Sequence, residues 1–216
     1  QGMILGMSAF VYRIEGTQTF ISKSLSENEL IQKIHVDVSL LKGTSDELDI
    51  EKFKNWRSEY ADAEFILEDG KYIVEREVEK MSKSKYNVVN PDEICDEFGA
   101  DCLRLYEMFL GPLEQSKPWN TQGLTGVYGF LKKFYNLYFN EDQFEISEEE
   151  PTKAEYKTLH TLIKKLSTDL ENYSFNTSVS SFMIAVNEFQ KLKTNNRKVL
   201  EPLAILISPY APHIAE

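Results

Sequence analysis

From Trp119 to Glu216 apolar residues return every three or four positions, and a chain with that spacing buries them by packing helices against one another. A first helix carries Leu124, Val127, Phe130, Leu131, Phe134, Leu137 and Tyr138, with Asn120 or Thr121 to cap it. After an acidic linker over residues 141–150, Thr152-Lys153-Ala154-Glu155 has the form of a capping box. It opens a second helix with Leu159, Leu162, Ile163, Leu166 and Leu170 inside. A third helix runs from near Thr177 to Leu192 through Val179, Phe182, Met183, Val186 and Phe189, and a fourth begins near Asn195. Four consecutive amphipathic helices with short connections predict an antiparallel bundle.

Residues 10–79 follow other periods. Phe10 to Ile21 is rich in β-branched and aromatic residues around Glu15-Gly16-Thr17, which predicts a hairpin. The mixed polar and apolar run from Ser24 to Ile34 suggests a short helix, and Val36, Val38 and Leu40 alternate as in a half-buried strand over His35–Leu40. Ile50, Phe53 and Trp56 share one face of a helix spanning Asp49–Tyr60. Phe65-Ile66-Leu67 and Tyr72-Ile73-Val74 straddle Asp69-Gly70, a pair that tolerates the positive φ of a tight turn, so a second hairpin is expected. The fold class that results is α+β: a small mixed α/β module followed by a mainly α-helical region ending in an antiparallel helix bundle.

Between these regions lies Lys80-Met81-Ser82-Lys83-Ser84, polar, basic and serine-bearing like an exposed loop. Asn90 as N-cap, Pro91 at the first helical position, and Asp92 and Glu93 at the positive end of the helix dipole announce a helix ending at Gly99, with Glu93 placed for a capping box. A second helix, Asp101–Leu110, presents Leu103, Tyr106 and Leu110 on one side and stops at Gly111-Pro112.

The 216 residues are 42% hydrophobic, enough for one large or two modest cores. No apolar run reaches the roughly 20 residues needed to cross a bilayer, and the start QGMILGMSAF lacks the features of a secretory signal. A cytoplasmic protein with no membrane partner is expected. Cys95 and Cys102, with no CxxC pair and no histidine at ligand spacing, support neither a disulfide framework nor a zinc site. The net charge of -11 opposes nucleic-acid binding until its distribution is considered: residues 1–79 hold 16 acids and 9 bases, residues 113–216 hold 13 and 11. In the last third, Lys132 and Lys133, Lys164 and Lys165, and Lys191, Lys193, Arg197 and Lys198 cluster as a local RNA footprint requires, although such clusters are commonly solvated helix faces. Gln1 and the uncapped apolar pattern before Glu216 suggest an excerpt of a longer chain.

The dense chemical signal is the KMSKS string. Lysines three apart on a mobile loop bring two ammonium groups onto one polyphosphate, which suits a reaction in which pyrophosphate leaves and negative charge develops on it. Lysine is a compact point charge fit for such a moving partner. A basic surface loop is the plainer reading, but a specified five-residue string arises by chance in a chain of this length about once in ten thousand times, so coincidence is disfavoured.

The string resembles the second signature of class I aminoacyl-tRNA synthetases. Tyr86-Asn87-Val88-Val89-Asn90-Pro91 and Gly99-Ala100-Asp101-Cys102-Leu103-Arg104 are similar to its continuation in the leucine, isoleucine and valine branch. Gln1-Gly2-Met3, the insertion of about 70 residues before Lys80, Trp119-Asn120 through Gly126 with Phe130-Leu131-Lys132-Lys133, and Pro209-Tyr210-Ala211-Pro212-His213-Ile214-Ala215-Glu216 look like bacterial leucyl enzymes. That resemblance implies residues 1–9 as the remnant of a catalytic domain, 10–79 as a leucine-specific type of inserted module, 80–118 as the KMSKS loop with a helical connector, and 119–216 as a truncated anticodon-binding bundle. It implies that Lys80 and Lys83 act in catalysis, and that Lys80, Met81, Ser82, Lys83 and Ser84 meet ATP phosphates, Lys83 foremost. ATP with Mg2+ is then the co-substrate, and leucine and tRNA(Leu) are the partners.

The HxGH-like first signature, the amino-acid pocket and the editing domain are missing from this stretch, so these residues alone are expected to be inactive. Isoleucyl, valyl and methionyl enzymes are the rivals within the class, and a non-catalytic RNA-binding or protein-interaction module is the rival outside it. Asp92, Glu93, Asp96 and Glu97 suit helix capping better than acid–base chemistry. His35, His160 and His213 have no nucleophile beside them by motif. Trp119 suits anchoring of the bundle better than base stacking.

Overall fold

The computed structural model describes residues 2–27, 30–43, 45–141 and 143–216. Gln1 of the opening segment, Asn28 and Glu29 of the helix expected over 24–34, and Asp142 of the acidic linker lie outside the described residues. The chain divides into two compact units, one formed by Met3–Val89 and the other by Gly2 with Asn90–Glu216.

The first unit is organised by β1, Ile4–Ile14. On one edge it pairs antiparallel with β3, Ile31–Val36, along residues 9–14. On the other it pairs with β5, Glu75–Lys80, along residues 5–10 and with β2, Thr19–Ile21, at Tyr12 and Arg13. β4, Glu64–Ile66, adds to β2 in parallel. Alternation then sorts the side chains. The odd-numbered face of β1 carries Ala9 and Val11 onto a core with Phe20, Val36, Leu48, Phe53, Tyr60 and Tyr72. Phe53, from helix α1 (Ile50–Trp56, capped by Asp49), stacks on Tyr60 at 4.7 Å and meets Phe20 edge-on at 5.0 Å.

The even-numbered face carries Gly6, Ser8, Phe10 and Tyr12, beside Glu75, Glu77 and Glu79 of β5 and Lys33 and His35 of β3, so it is an ionic surface. Lys33 bridges Glu75 (2.7 Å) and Glu77 and places its ammonium 4.0 Å from the centre of the Phe10 ring. Lys23 reaches Glu75 from the other side at 3.0 Å. The long basic side chains thereby cover aromatic surface while their charged ends meet carboxylates.

The first expected hairpin is present, with Thr17 N–H bonded to the Ile14 carbonyl across its turn. Three expectations are corrected. The described residues of Ser24–Ile34 do not form the expected helix: Lys23–Leu25 forms a single 3-10 turn and strand β3 begins at Ile31, because the free edge of β1 recruits residues 31–34. The strand expected to reach Leu40 stops at Val36, where the Asp37 carboxylate accepts the Ser39 N–H (2.9 Å) and turns Val38–Leu40 into a 3-10 helix. The Asp69-Gly70 turn forms as expected, both residues at positive φ (48° and 78°) and Glu68 and Lys71 bonded to each other. Its arms do not pair beyond that: β4 joins β2, while Tyr72–Val74 bonds to residues 46–48 and, at Ile73, to Lys23. Turn chemistry dictates the reversal, and packing of Phe65 between Phe20 and Tyr72 in the aromatic core dictates the partners.

The second unit is helical. α2 (Pro91–Phe98) has the expected Asn90 cap on the Asp92 N–H at 3.1 Å, but Glu93 meets the Asn90 side-chain amide at 3.2 Å where the capping box needs the backbone N–H. Gly99, at φ 88°, ends it. α3 (Ala100–Phe109) buries Asp101, Cys102, Leu105 and Tyr106; Leu103 and Leu110 are only half-buried. The helix packs against α2, α4 (Gln122–Tyr135) and α6 (Phe175–Leu192), so its buried face is broader and rotated from the expected one. α5 (Lys153–Glu171) opens with the full Thr152–Glu155 capping box, reaches α6 through a three-residue connection, and contacts α7 (Arg197–Ile207); α8 (Pro212–Ala215) is a single turn.

α4 ends before Leu137, and Phe139-Asn140 pairs with Gln143-Phe144 in a small antiparallel ribbon. The acidic linker beyond it is pinned to the start of α7: Glu148 binds Arg197 at 2.6 Å, Glu150 binds Lys198, and Ser147 exchanges backbone hydrogen bonds with Asn195 and Arg197.

The Glu75 carboxyl lies near pKa 2, well below its ordinary 4.5, because it accepts hydrogen bonds from Lys33, Tyr12 and Lys23. A depressed folded-state value contributes stability above about pH 4.5 that is lost as pH falls toward 2. Thermal melts of the chain from pH 6 to pH 2 are expected to show that loss, and Glu75→Gln to flatten the acid limb; an unchanged acid limb in the variant contradicts the assignment.

Candidate functional site

Lys80 closes β5, opposite Leu5 of β1, so the KMSKS loop leaves directly from a strand whose other residues are held in the sheet. Ser82 has extended backbone, Lys83–Lys85 form one 3-10 turn, and Tyr86 follows in the left-handed region at φ 53°. Lys80, Lys83 and Ser84 are exposed, Met81 and Ser82 half-buried. The Ser82 and Ser84 hydroxyls are 2.9 Å apart and share a hydrogen bond.

Two residues of the stretch after the signature, to which sequence reasoning gave no role of their own, hold the loop. Asn87, only 2% exposed, accepts the Ser82 N–H (2.9 Å) on its side-chain oxygen and donates to the Ser8 hydroxyl (2.8 Å) from its nitrogen. Its amide therefore ties the middle of the signature to the central strand, where both partners are buried enough for the bonds to matter. Gly6 makes the approach possible: a Cβ there would stand 2.4 Å from the Asn87 carbonyl oxygen. Tyr86 is the second anchor, with Arg57 donating to its hydroxyl at 2.5 Å and Trp56 edge-on to its ring at 5.0 Å. No periodicity could have marked Asn87, whose partner Ser8 lies 79 residues away.

The three lysines of the loop differ electrostatically. Lys85 binds Glu79 at 2.6 Å, and the other Glu79 oxygen lies 2.9 Å from His35 Nε2. These contacts, Lys85 first, then the Ser8 hydroxyl and His35, hold the Glu79 carboxyl near pKa 2. Among the described residues Lys80 and Lys83 have no ion pair. The loop thus presents two unneutralised ammonium groups and a serine pair on a base fixed by buried hydrogen bonds, an arrangement able to receive a polyphosphate.

The basic clusters of the helical unit are less cationic than their composition suggests. Lys165 pairs with Asp169, Lys191 with Glu188 (3.2 Å), and Arg197 and Lys198 with the linker carboxylates. Lys133 donates to Asn187 at 2.8 Å, and Lys132 lies over the Tyr128 ring at 4.4 Å. Lys164 and Lys193 are exposed and, among the described residues, in no ion pair.

Asp101, 6% exposed at the start of α3, accepts the Ile214 N–H (2.7 Å) and lies 2.9 Å from His213 Nδ1; Arg104 donates to the carbonyls of Pro209 (3.0 Å) and Tyr210 (3.3 Å). The two motifs, residues 99–104 and 209–216, are thereby partners in space. Trp119 meets Tyr106 edge-on at 5.1 Å and bonds to Thr121, the anchoring arrangement. His160 stacks near Tyr156. Cys95 and Cys102 are free thiols, and burial pushes Cys102 up to about 11. Among the described residues no group of three or more His, Cys, Asp or Glu side chains could hold a metal ion, and no helix is long and apolar enough to cross a membrane.

A family model described as tRNA synthetases class I (I, L, M and V) matches residues 64–117, which contain the loop, and one described as the anticodon-binding domain of tRNA ligase matches residues 153–216. Over these two stretches the chain is similar to class I tRNA synthetases. It is 64% identical over 216 residues to a leucine–tRNA ligase of Christiangramia forsetii and 63% identical over 218 residues to that of Flavobacterium psychrophilum, in each case along 100% of this chain. Along its whole length the chain is thus similar to leucine–tRNA ligases. It spans 22% and 23% of the length of those two relatives. The solved ternary complex of Agrobacterium radiobacter K84 LeuRS with tRNA and LeuAMS is similar in fold, with a TM-score of 0.55 and 27% identity over 64% of this chain and 20% of that one.

If Asn87 pins the loop, Asn87→Ala frees Lys80 and Lys83 for proteolysis. Limited trypsin digestion at 25 °C is expected to cut there about tenfold faster, with far-ultraviolet circular dichroism unchanged, as local opening without global unfolding predicts. Equal cutting rates would remove Asn87 from this role.

Proposed function

We propose that the protein to which this stretch belongs joins leucine to tRNA(Leu) in an ATP-dependent, two-step reaction, and that these residues supply its phosphate-handling loop and part of its tRNA-binding surface. The carrying observation is the charge state of the loop: Lys80 and Lys83 stand without carboxylate partners on a base secured by Asn87, while Lys85 is neutralised. Similarity along 100% of this chain to leucine–tRNA ligases supplies the choice of leucine among the class I substrates.

In the first step the leucine carboxylate attacks the α-phosphate of ATP and pyrophosphate departs. Lys80 and Lys83, with Met81, Ser82 and Ser84 shaping the loop between and after them, meet the phosphates. Their positive charge is worth most as the leaving group gains negative charge, which is the condition for raising the rate and not merely the affinity. Mg2+ comes bound to the nucleotide, and no residue described here is assigned to it. In the second step leucine passes to the terminal adenosine of tRNA(Leu). Residues 10–79 act as a leucine-specific inserted module and residues 119–216 as part of the anticodon-binding bundle, whose tRNA contacts centre on basic groups outside ion pairs, such as Lys164 and Lys193. The reaction takes place in the cytoplasm.

Leucine-dependent ATP–pyrophosphate exchange by the full-length protein tests this. The wild type is expected to exchange with leucine and not with isoleucine, valine or methionine, and Lys83→Ala to lower kcat about a hundredfold or more, the usual cost of one transition-state contact. Exchange with a different amino acid would move the protein to a sister enzyme. Absence of exchange with all four would favour a non-catalytic RNA-binding module.

A further inference from the structure

Glu79 immediately precedes the signature and ends the row of carboxylates on the ionic face of the sheet. Both of its oxygens are engaged, one by Lys85 at 2.6 Å and the other by His35 at 2.9 Å, and its side chain is only 21% exposed. Lys85 lies two residues beyond Lys83 on the same 3-10 turn, so without this tether a third ammonium would belong to the same short loop. The tether draws it to β5, the neighbour of the strand that Asn87 grips through Ser8.

We propose that Glu79 is a positioning residue that withholds Lys85 from the nucleotide, so that the loop offers a polyphosphate two ammonium groups and not three. This rests on the ATP reading of the loop given above. A third lysine on a flexible stem binds the triphosphate in the ground state as readily as in the transition state and grips the departing pyrophosphate. Uniform binding of that kind lowers KM without helping the chemical step, and a tighter hold on the product slows turnover.

The test is leucine-dependent ATP–pyrophosphate exchange by the full-length protein at varied ATP, comparing wild type, Lys83→Ala, Glu79→Gln, Lys85→Met and the double variant Glu79→Gln/Lys85→Met. For Glu79→Gln, KM for ATP is expected to fall about threefold and kcat about tenfold, the split that distinguishes surplus ground-state binding from lost structure. Removing Lys85 as well is expected to restore kcat to within about threefold of wild type, and Lys85→Met alone to stay within the same range, since the coupling between two contacting residues is what such a cycle isolates. Unchanged kinetics in Glu79→Gln, or a double variant no better than Glu79→Gln, would overturn the proposal. So would Lys85→Met losing exchange as fully as Lys83→Ala, because Lys85 would then itself contact phosphate. Each of those results leaves the ATP reading standing so long as wild type exchanges and Lys83→Ala does not. A wild type without leucine-dependent exchange, or a fully active Lys83→Ala, removes the reading and this proposal together.

Discussion

At Ala9, Phe10, Tyr12 and Arg13 strand β1 has neighbours on both edges, and from Ser8 to Tyr12 every one of its side chains is buried. A strand so placed tolerates no slip, because a one-residue shift would exchange the apolar set Ala9 and Val11 for the polar-facing set Ser8, Phe10 and Tyr12. The register in turn places Gly6 opposite Glu79 and Leu5 opposite Lys80, and so decides where the signature loop leaves the sheet. The aromatic core beneath and the ionic surface above are both consequences of that alternation.

The loop depends on this strand twice. Ser8 receives the Asn87 amide, and Gly6 leaves room for the Asn87 backbone. A glycine and a serine in succession along one face are weak strand formers, and their use at the centre of a sheet is explained by what they admit. The polar bridge is buried, where a fully satisfied amide specifies one loop geometry and an unsatisfied one would be costly. Residues 80–86 thus run from a strand end to a buried amide that holds them at Ser82.

Charge is handled in both units by local neutralisation. In the first, Glu75, Glu77 and Glu79 are matched by Lys23, Lys33, His35 and Lys85. In the second, the acidic linker returns to the start of α7 and occupies Arg197 and Lys198. A net charge of -11 therefore describes neither surface well, and the cations left unpaired, rather than those that cluster in sequence, are the ones available to a phosphate.

The sequence by itself determined the elements whose causes are local: the Asn90-Pro91 helix start, the Thr152–Glu155 capping box, the Asp69-Gly70 turn, the periodic faces of α4 to α6, and the KMSKS string, whose meaning lies in its residue types and spacing. Tertiary structure decided what depends on a distant partner. The run before His35 became a strand because β1 offered an edge, β4 joined β2 and not Tyr72–Val74 as Phe65 packed between Phe20 and Tyr72, and the buried face of α3 turned because α2, α4, α6 and α8 pack on it. The same holds for the site: two lysines were legible in order, but that Lys80 and Lys83 stand outside ion pairs while Glu79 holds Lys85, and that Asn87 ties the loop, rests on Ser8 and His35, brought close only by folding.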